Sequence, residues 1–251
     1  MIKYGALTLE DRDENGTLWV VSCEKDAKEV QIPRKVEGKI VVGIGEYAFQ
    51  DCEELTRVDF PEGGMDAWIE DYRFDTIEDH AFTRCTSLVD VILPDTVFHV
   101  GHGAFLCCKS LIKVRIPMLC HLSPYAFARC PLLSDVNPTS SLSEGVFSEC
   151  SSLTSYQIPS GTTVISEDAF DSCYGLKEIV IPKSVKQIEA LAFRGCSSLR
   201  SVVFEDPEGW VVESSYFDEV KALDLSDPAE NARDLSTMDF DDGILWWKKM
   251  K

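Results

Sequence analysis

Apolar residues along this chain return as a phrase, A-F-x-x-C-x-x-L-x-x-V-x-I-P, whose phenylalanine recurs in frame at Phe49, Phe82, Phe105, Phe127, Phe147, Phe170 and Phe193. Successive occurrences lie 20 to 23 residues apart, except for a first gap of 33. Within each phrase the V-x-I alternation, as at Val58, Val91, Val114, Ile179 and Val202, has the period of a strand with one buried face. Pro61, Pro94, Pro117, Pro159 and Pro182 stop that strand, because proline has no N–H for a ladder bond. A second apolar pair precedes each A-F and predicts a second short strand: Val41 with Ile44, Phe74 with Ile77, Val97 with Val100, Leu119 with Leu122, Val185 with Ile188. The A-F-x-x-C segment is too short for a full helix and predicts a single helical or 3₁₀ turn.

A unit of this length cannot bury its own apolar side chains, so the units must stack on a shared core. The prediction is a mainly β solenoid of about seven coils, its phenylalanines aligned as a spine, each worth about 1.5 to 3 kcal/mol of burial. Three segments follow: an N-terminal cap over 1–29, the repeats over 30–204, and a C-terminal cap over 205–251. Leu18-Trp19-Val20-Val21 predicts a strand covering the first coil. In the C-terminal segment, Asp227-Pro228-Ala229-Glu230 reads as an N-cap, a first-turn proline and a first-turn acid, opening a helix that runs to about Leu235. Gly209-Trp210-Val211-Val212 and Leu223-Asp224-Leu225 read as strands, Ile244-Leu245-Trp246-Trp247 as a last apolar segment, with the tryptophans packed inward.

Two irregularities interrupt the period. The long first gap predicts an insertion loop over 61–74 that carries Trp68 and Tyr72 as candidate contact residues. Val136-Asn137-Pro138 lacks the last apolar residue of its strand and predicts a bulge or a change of curvature.

The units resemble leucine-rich repeats of the BspA-like class, and Ile188-Glu189-Ala190-Leu191-Ala192-Phe193-Arg194-Gly195-Cys196-Ser197-Ser198-Leu199-Arg200-Ser201-Val202 reproduces that class's phrase. Val30-Gln31-Ile32-Pro33 followed by Gly38-Lys39-Ile40-Val41-Val42-Gly43-Ile44 resembles its N-terminal β half-repeat. The tail resembles a small α/β cap found with such repeats. The resemblance implies a right-handed, curved solenoid used for recognition of proteins or surfaces in bacteria and some protists, with no catalytic residues to carry over.

Composition narrows the partners. The net charge of −19, with 43 acids against 24 bases, argues against nucleic acid, whose phosphates need clustered Lys and Arg. No run of 18 apolar residues predicts a membrane span. The start, Met1-Ile2-Lys3-Tyr4, lacks a leader-like stretch, which predicts a cytoplasmic chain, or a surface or secreted one whose leader was removed. Seven of ten cysteines share one repeat phase (Cys52, Cys85, Cys108, Cys130, Cys150, Cys173, Cys196), and an odd column of equivalent thiols reads as small buried hydrophobes, all reduced. Cys23, Cys107 and Cys120 show no pairing pattern.

Candidate chemistry is sparse. Gly43-Ile44-Gly45-Glu46-Tyr47-Ala48 fits a dinucleotide fingerprint only superficially, because the same phase reads Ile77-Glu78-Asp79-His80-Ala81 and Ile188-Glu189-Ala190-Leu191-Ala192 elsewhere, without glycine, and no helix follows. His99 and His121 occupy equivalent positions on neighbouring coils, with His102, Cys107 and Cys120 nearby, but without a recognised ligand spacing. The expectation is no enzyme, no cofactor and no resident metal, with a metal-binding role through His99 and His121 as the alternative. Another alternative is an exported adhesive or structural surface protein. What remains is the variable face of the strand ladder, where a protein or surface glycoprotein would bind through Arg57, Asp59, Asp90, Lys113, Arg115, Asp135, Gln157 and Glu178, joined by Trp68 and Tyr72 on the loop.

Overall fold

The computed structural model describes residues 1–12, 16–61, 74–139, 142–214, 221–237 and 245–250. The chain winds as a β-solenoid in which most repeats supply one strand to each of two parallel ladders, the unit around Phe147 being the exception. The first ladder contains Glu29–Gln31, Arg57–Asp59, Asp90–Ile92, Lys113–Arg115 and Asp135–Val136, all parallel. It resumes with Glu178–Ile181 paired to Ser201–Phe204. The second ladder holds the short strands before six of the seven turns: Lys39–Ile44, Thr76–Ile77, His99–Val100 and His121–Leu122, then, past a gap at the Phe147 unit, Val164–Ile165 and Gln187–Ile188.

Between the ladders lies the spine. All seven repeat phenylalanines are buried. Successive rings stack at centroid distances of 4.6, 4.9, 5.1, 6.2, 5.9 and 5.3 Å. The cysteine column beside them is buried, as expected, but its thiols do more than fill space. From the second rung on, each thiol donates to the phenylalanine carbonyl of the preceding coil: Cys85 to Phe49, Cys108 to Phe82, Cys130 to Phe105, Cys150 to Phe127, Cys173 to Phe147 and Cys196 to Phe170, at 3.1 to 3.3 Å.

The A-F turn is not a helical turn. Its backbone enters the left-handed region twice, four residues apart, with positive φ at Tyr47 and Asp51, His80 and Arg84, Tyr125 and Arg129, Asp168 and Ser172. An L-residue in the left-handed region costs about 1 to 2 kcal/mol, and the return is a third ladder of hydrogen bonds. In the first turn Ala48, Gln50 and Cys52 bond back within their own coil, whereas Tyr47, Phe49 and Asp51 donate to Asp79, Ala81 and Thr83 of the next. A regular helix would aim every N–H along its own axis and leave the neighbouring coil unbonded there.

Other expectations are corrected. Leu119 is 85% exposed, and Cys120 takes the inward place, because the turn closes on a Cys120 N–H to Pro117 carbonyl bond. The irregular unit at Val136 breaks the first ladder, and an isolated bridge between Ser155 and Glu178 begins its second part. There the Asn137 side-chain amide accepts from Ile116 N–H and donates to Ile116 C=O, standing in for the missing backbone partner.

Both ends are covered. Leu18–Cys23 pairs with Lys39–Ile44 and carries an antiparallel meander of Leu7–Glu10 and Ile2–Tyr4. At the far end Leu245–Lys249 pairs antiparallel with Gln187–Ile188 and with Trp210–Ser214, burying Trp210 and Trp247. The strand expected at Leu223–Leu225 lies instead at Lys221–Ala222. The helix Pro228–Ser236 starts as expected, with the Asp227 carboxylate accepting from the N–H groups of Ala229 and Glu230. It packs on Ser201–Phe204, where buried Asn231 donates to the carbonyls of Val202 and Leu225.

Candidate functional site: the strand face of the first ladder

Strand alternation sends Val58, Val91, Val114, Ile179 and Val202 into the core and their neighbours outward, so the outward column is fixed by register. That register places Glu29 beside Arg57, Arg57 beside Asp90, Asp90 beside Lys113, and Lys113 beside Asp135. Charge therefore alternates in sign along five consecutive strands, the favourable cross-strand arrangement. Two cations are held further. Arg57 pairs with Asp59 at 2.8 Å, and Arg115 with Asp135 at 2.8 Å while also bonding the Asp135 carbonyl. The hydrogen bond from Arg115 draws the Asp135 carboxyl below its usual range.

Beyond the break at Asn137 the face changes character. Ser155, Gln157, Ser201, Val180 and Val203 form a largely neutral half, with Glu178 between Ser155 and Ser201 and Glu205 also lining it. Val180 and Val203 are 48% and 42% exposed. A groove of 430 Å³ lies over them, lined also by Tyr156 and Pro182. In the charged half a larger groove of 1140 Å³ is lined by Arg57, Asp59, Asp90 and the 59%-exposed Ile92, and by Tyr4 and Arg34.

Arg57, Asp59, Asp90, Asp135, Gln157 and Glu178 are all exposed on one face, as expected, whereas Lys113 and Arg115 are half-buried along it. Trp68, Tyr72 and most of the 61–74 insertion lie outside the described residues. The contribution of Tyr4 and Arg34 was not legible from the repeat phrase, because both come from the N-terminal region and reach the face only through tertiary packing.

The stacking expected of His99 and His121 is present, with rings 5.8 Å apart. Burial, then the neighbouring His121, push the His99 imidazole below its usual range. His102 stands elsewhere, in a surface row of rings running Tyr47, His80, His102, Tyr125 at 5.3 to 5.7 Å. Among the described residues no group of three or more His, Cys, Asp and Glu has an arrangement that could hold a metal ion. Among them, too, no helix is long and apolar enough to cross a membrane.

Two parallel ladders, a phenylalanine spine and a register-locked outer face define a leucine-rich-repeat solenoid. The BspA type leucine rich repeat region matches over residues 22–76, 69–173 and 123–237, in six copies, and the chain belongs to that family. Among solved structures, a leucine-rich repeat protein from Bacteroides ovatus is 21% identical with a TM-score of 0.51, covering 82% of this chain and 71% of that one. A leucine-rich repeat protein from T. pallidum is 20% identical with a TM-score of 0.55, covering 79% and 90%. These likenesses concern the fold. A stretch of 101 residues is 31% identical to Diacylglycerol kinase 2 of Arabidopsis thaliana, covering 39% of this chain and 12% of that protein.

Proposed function

We propose that the chain is a non-enzymatic recognition module that binds a protein or surface glycoprotein along the outer face of the first ladder. The observation that supports this is the face itself: among the described residues, strands held in register by hydrogen bonds, with Ile92, Val180 and Val203 exposed among polar neighbours. In the charged half, alternating neighbours satisfy one another, so Arg57, Asp59, Asp90, Lys113, Arg115 and Asp135 act as an orienting rim. The neutral half, with Gln157 beside Val180 and Val203, loses less on desolvation and supplies the apolar contact. Trp68 and Tyr72 join the contact from the insertion.

The test uses a partner captured from the native organism and then purified. Val180→Glu with Val203→Glu is expected to weaken its binding at least tenfold, about 1.4 kcal/mol or more, with thermal stability unchanged. Lys113→Glu is expected to alter the salt dependence of association. Unchanged affinity in the double variant removes the strand face from the proposal.

A further inference from the structure

The thiol column has one rung unlike the others. Cys52 belongs to the first complete coil, so no repeat phenylalanine precedes it, and its sulfur lies 4.0 Å from the carbonyl oxygen of Glu24 instead. Cys23, at the end of the strand Leu18–Cys23, directs its own sulfur at the same oxygen from 3.5 Å. Two thiols thus converge on one acceptor, the Glu24 carbonyl oxygen. The Lys25 ammonium lies 4.0 Å from the Cys52 sulfur and is anchored on the Gln50 carbonyl. The remaining column cysteines have no lysine contact of this kind among the described residues.

These groups divide the roles between the two sulfurs. The Cys23 thiol and the Lys25 ammonium both stabilise negative charge on Cys52, which lowers its proton affinity. Cys85, Cys130 and Cys150, buried against carbonyls, are pushed the other way. Both members of the pair are buried, so a bulky disulfide reagent is excluded and the oxidant has to be small, reaching the sulfurs as the N-terminal end opens locally.

We propose that Cys23 and Cys52 are a peroxide-oxidised pair that closes into a disulfide, clipping the N-terminal cap to the first coil. The Cys52 thiolate attacks one oxygen of hydrogen peroxide. The O–O bond breaks, hydroxide leaves and takes a proton as water, and Cys52 becomes a sulfenic acid. The Cys23 sulfur then attacks the Cys52 sulfur, the S–O bond breaks, and the departing hydroxide takes the Cys23 proton as a second water. The two sulfurs together lose two electrons and the peroxide gains two. The consequence follows from the architecture: a solenoid opens most easily at its ends, and this bond ties down the end where unwinding would begin.

The experiment uses the full chain carrying Cys107→Ser, which removes the one cysteine that is only half-buried. Folded protein is treated with hydrogen peroxide, quenched, unfolded, alkylated and peptide-mapped without reduction. Two of the nine remaining thiols are expected to be lost, appearing as one cross-linked Cys23–Cys52 peptide, with a higher Tm. Cys23→Ser keeps a hydroxyl donor in place and is expected to leave Cys52 as a sulfenic acid that a cyclic diketone, present as the chain is unfolded, traps. Nine intact thiols, a cross-link between column cysteines instead, or an equal Cys23–Cys52 yield from unfolded chain would each overturn the proposal.

Discussion

Asp168 carries a charge that the fold holds at a cost. Its side chain is only 22% exposed, its Oδ1 is buried with no hydrogen-bond partner, and Arg194 reaches it only at 3.9 Å because that guanidinium is committed to Asp171 at 2.6 Å. Burial first, then the charge of Asp171, raise its pKa from the ordinary 3.8 to about 6. The folded state therefore binds a proton more tightly than the unfolded chain. Stability from this group is fully present below about pH 4, is lost as pH rises through about 6, and stays lost at neutrality. Two pKa units correspond to about 3 kcal/mol as a ceiling. Residual exposure and the partial attraction of Arg194 reduce that to about 1 to 2 kcal/mol. Asp168→Asn removes the charge while keeping a side chain that tolerates the positive φ of 55° at this site. Urea denaturation of both proteins from pH 4 to 8 should show near-equal stability at pH 4 and a gain of about 1 to 2 kcal/mol for the variant at pH 7. A variant that is less stable at pH 7, or a difference independent of pH, would refute the reasoning.

Phe105→Ala removes a ring stacked on both sides, at 4.9 Å from Phe82 and 5.1 Å from Phe127, and should cost about 3 to 5 kcal/mol by denaturant titration. A loss below about 1 kcal/mol would contradict a shared spine. Asn231→Ala leaves the carbonyls of Val202 and Leu225 without their side-chain donor and should cost about 2 to 3 kcal/mol. Its signature is faster amide exchange in Ser201–Phe204 and the helix, with the central coils unaffected; uniform loss of protection would argue against a local capping role.

Much of the architecture is written in the period. Recurrence of Phe, Cys, Leu and Val in one frame requires stacking, because no single unit buries them, and the prolines locate the strand ends. The strand Leu18–Cys23 was legible from Leu18–Val21, and the helix Pro228–Ser236 from Asp227 with Pro228. The strand face followed from alternation alone, which is why six of its expected polar residues are exposed together. Leu119 was misplaced because hydropathy ranks it above Cys120, whereas the turn at Pro117 decides which of two adjacent residues points inward.

By itself the sequence determined the repeat, the two strands per coil and the identity of the core, since these depend on burial summed over equivalent positions. Tertiary stacking decided which groups meet. Alternating charges became neighbours only when register set Arg57 beside Asp90 and Asp90 beside Lys113. Left-handed residues in the A-F turns became tolerable only because the next coil accepts their hydrogen bonds. Cys23 met Cys52 because the cap folds over the first coil, a contact between positions that share no phase in the repeat. Periodicity encodes what each coil has in common, whereas the differences between coils acquire meaning only across the gap that hydrogen bonding closes.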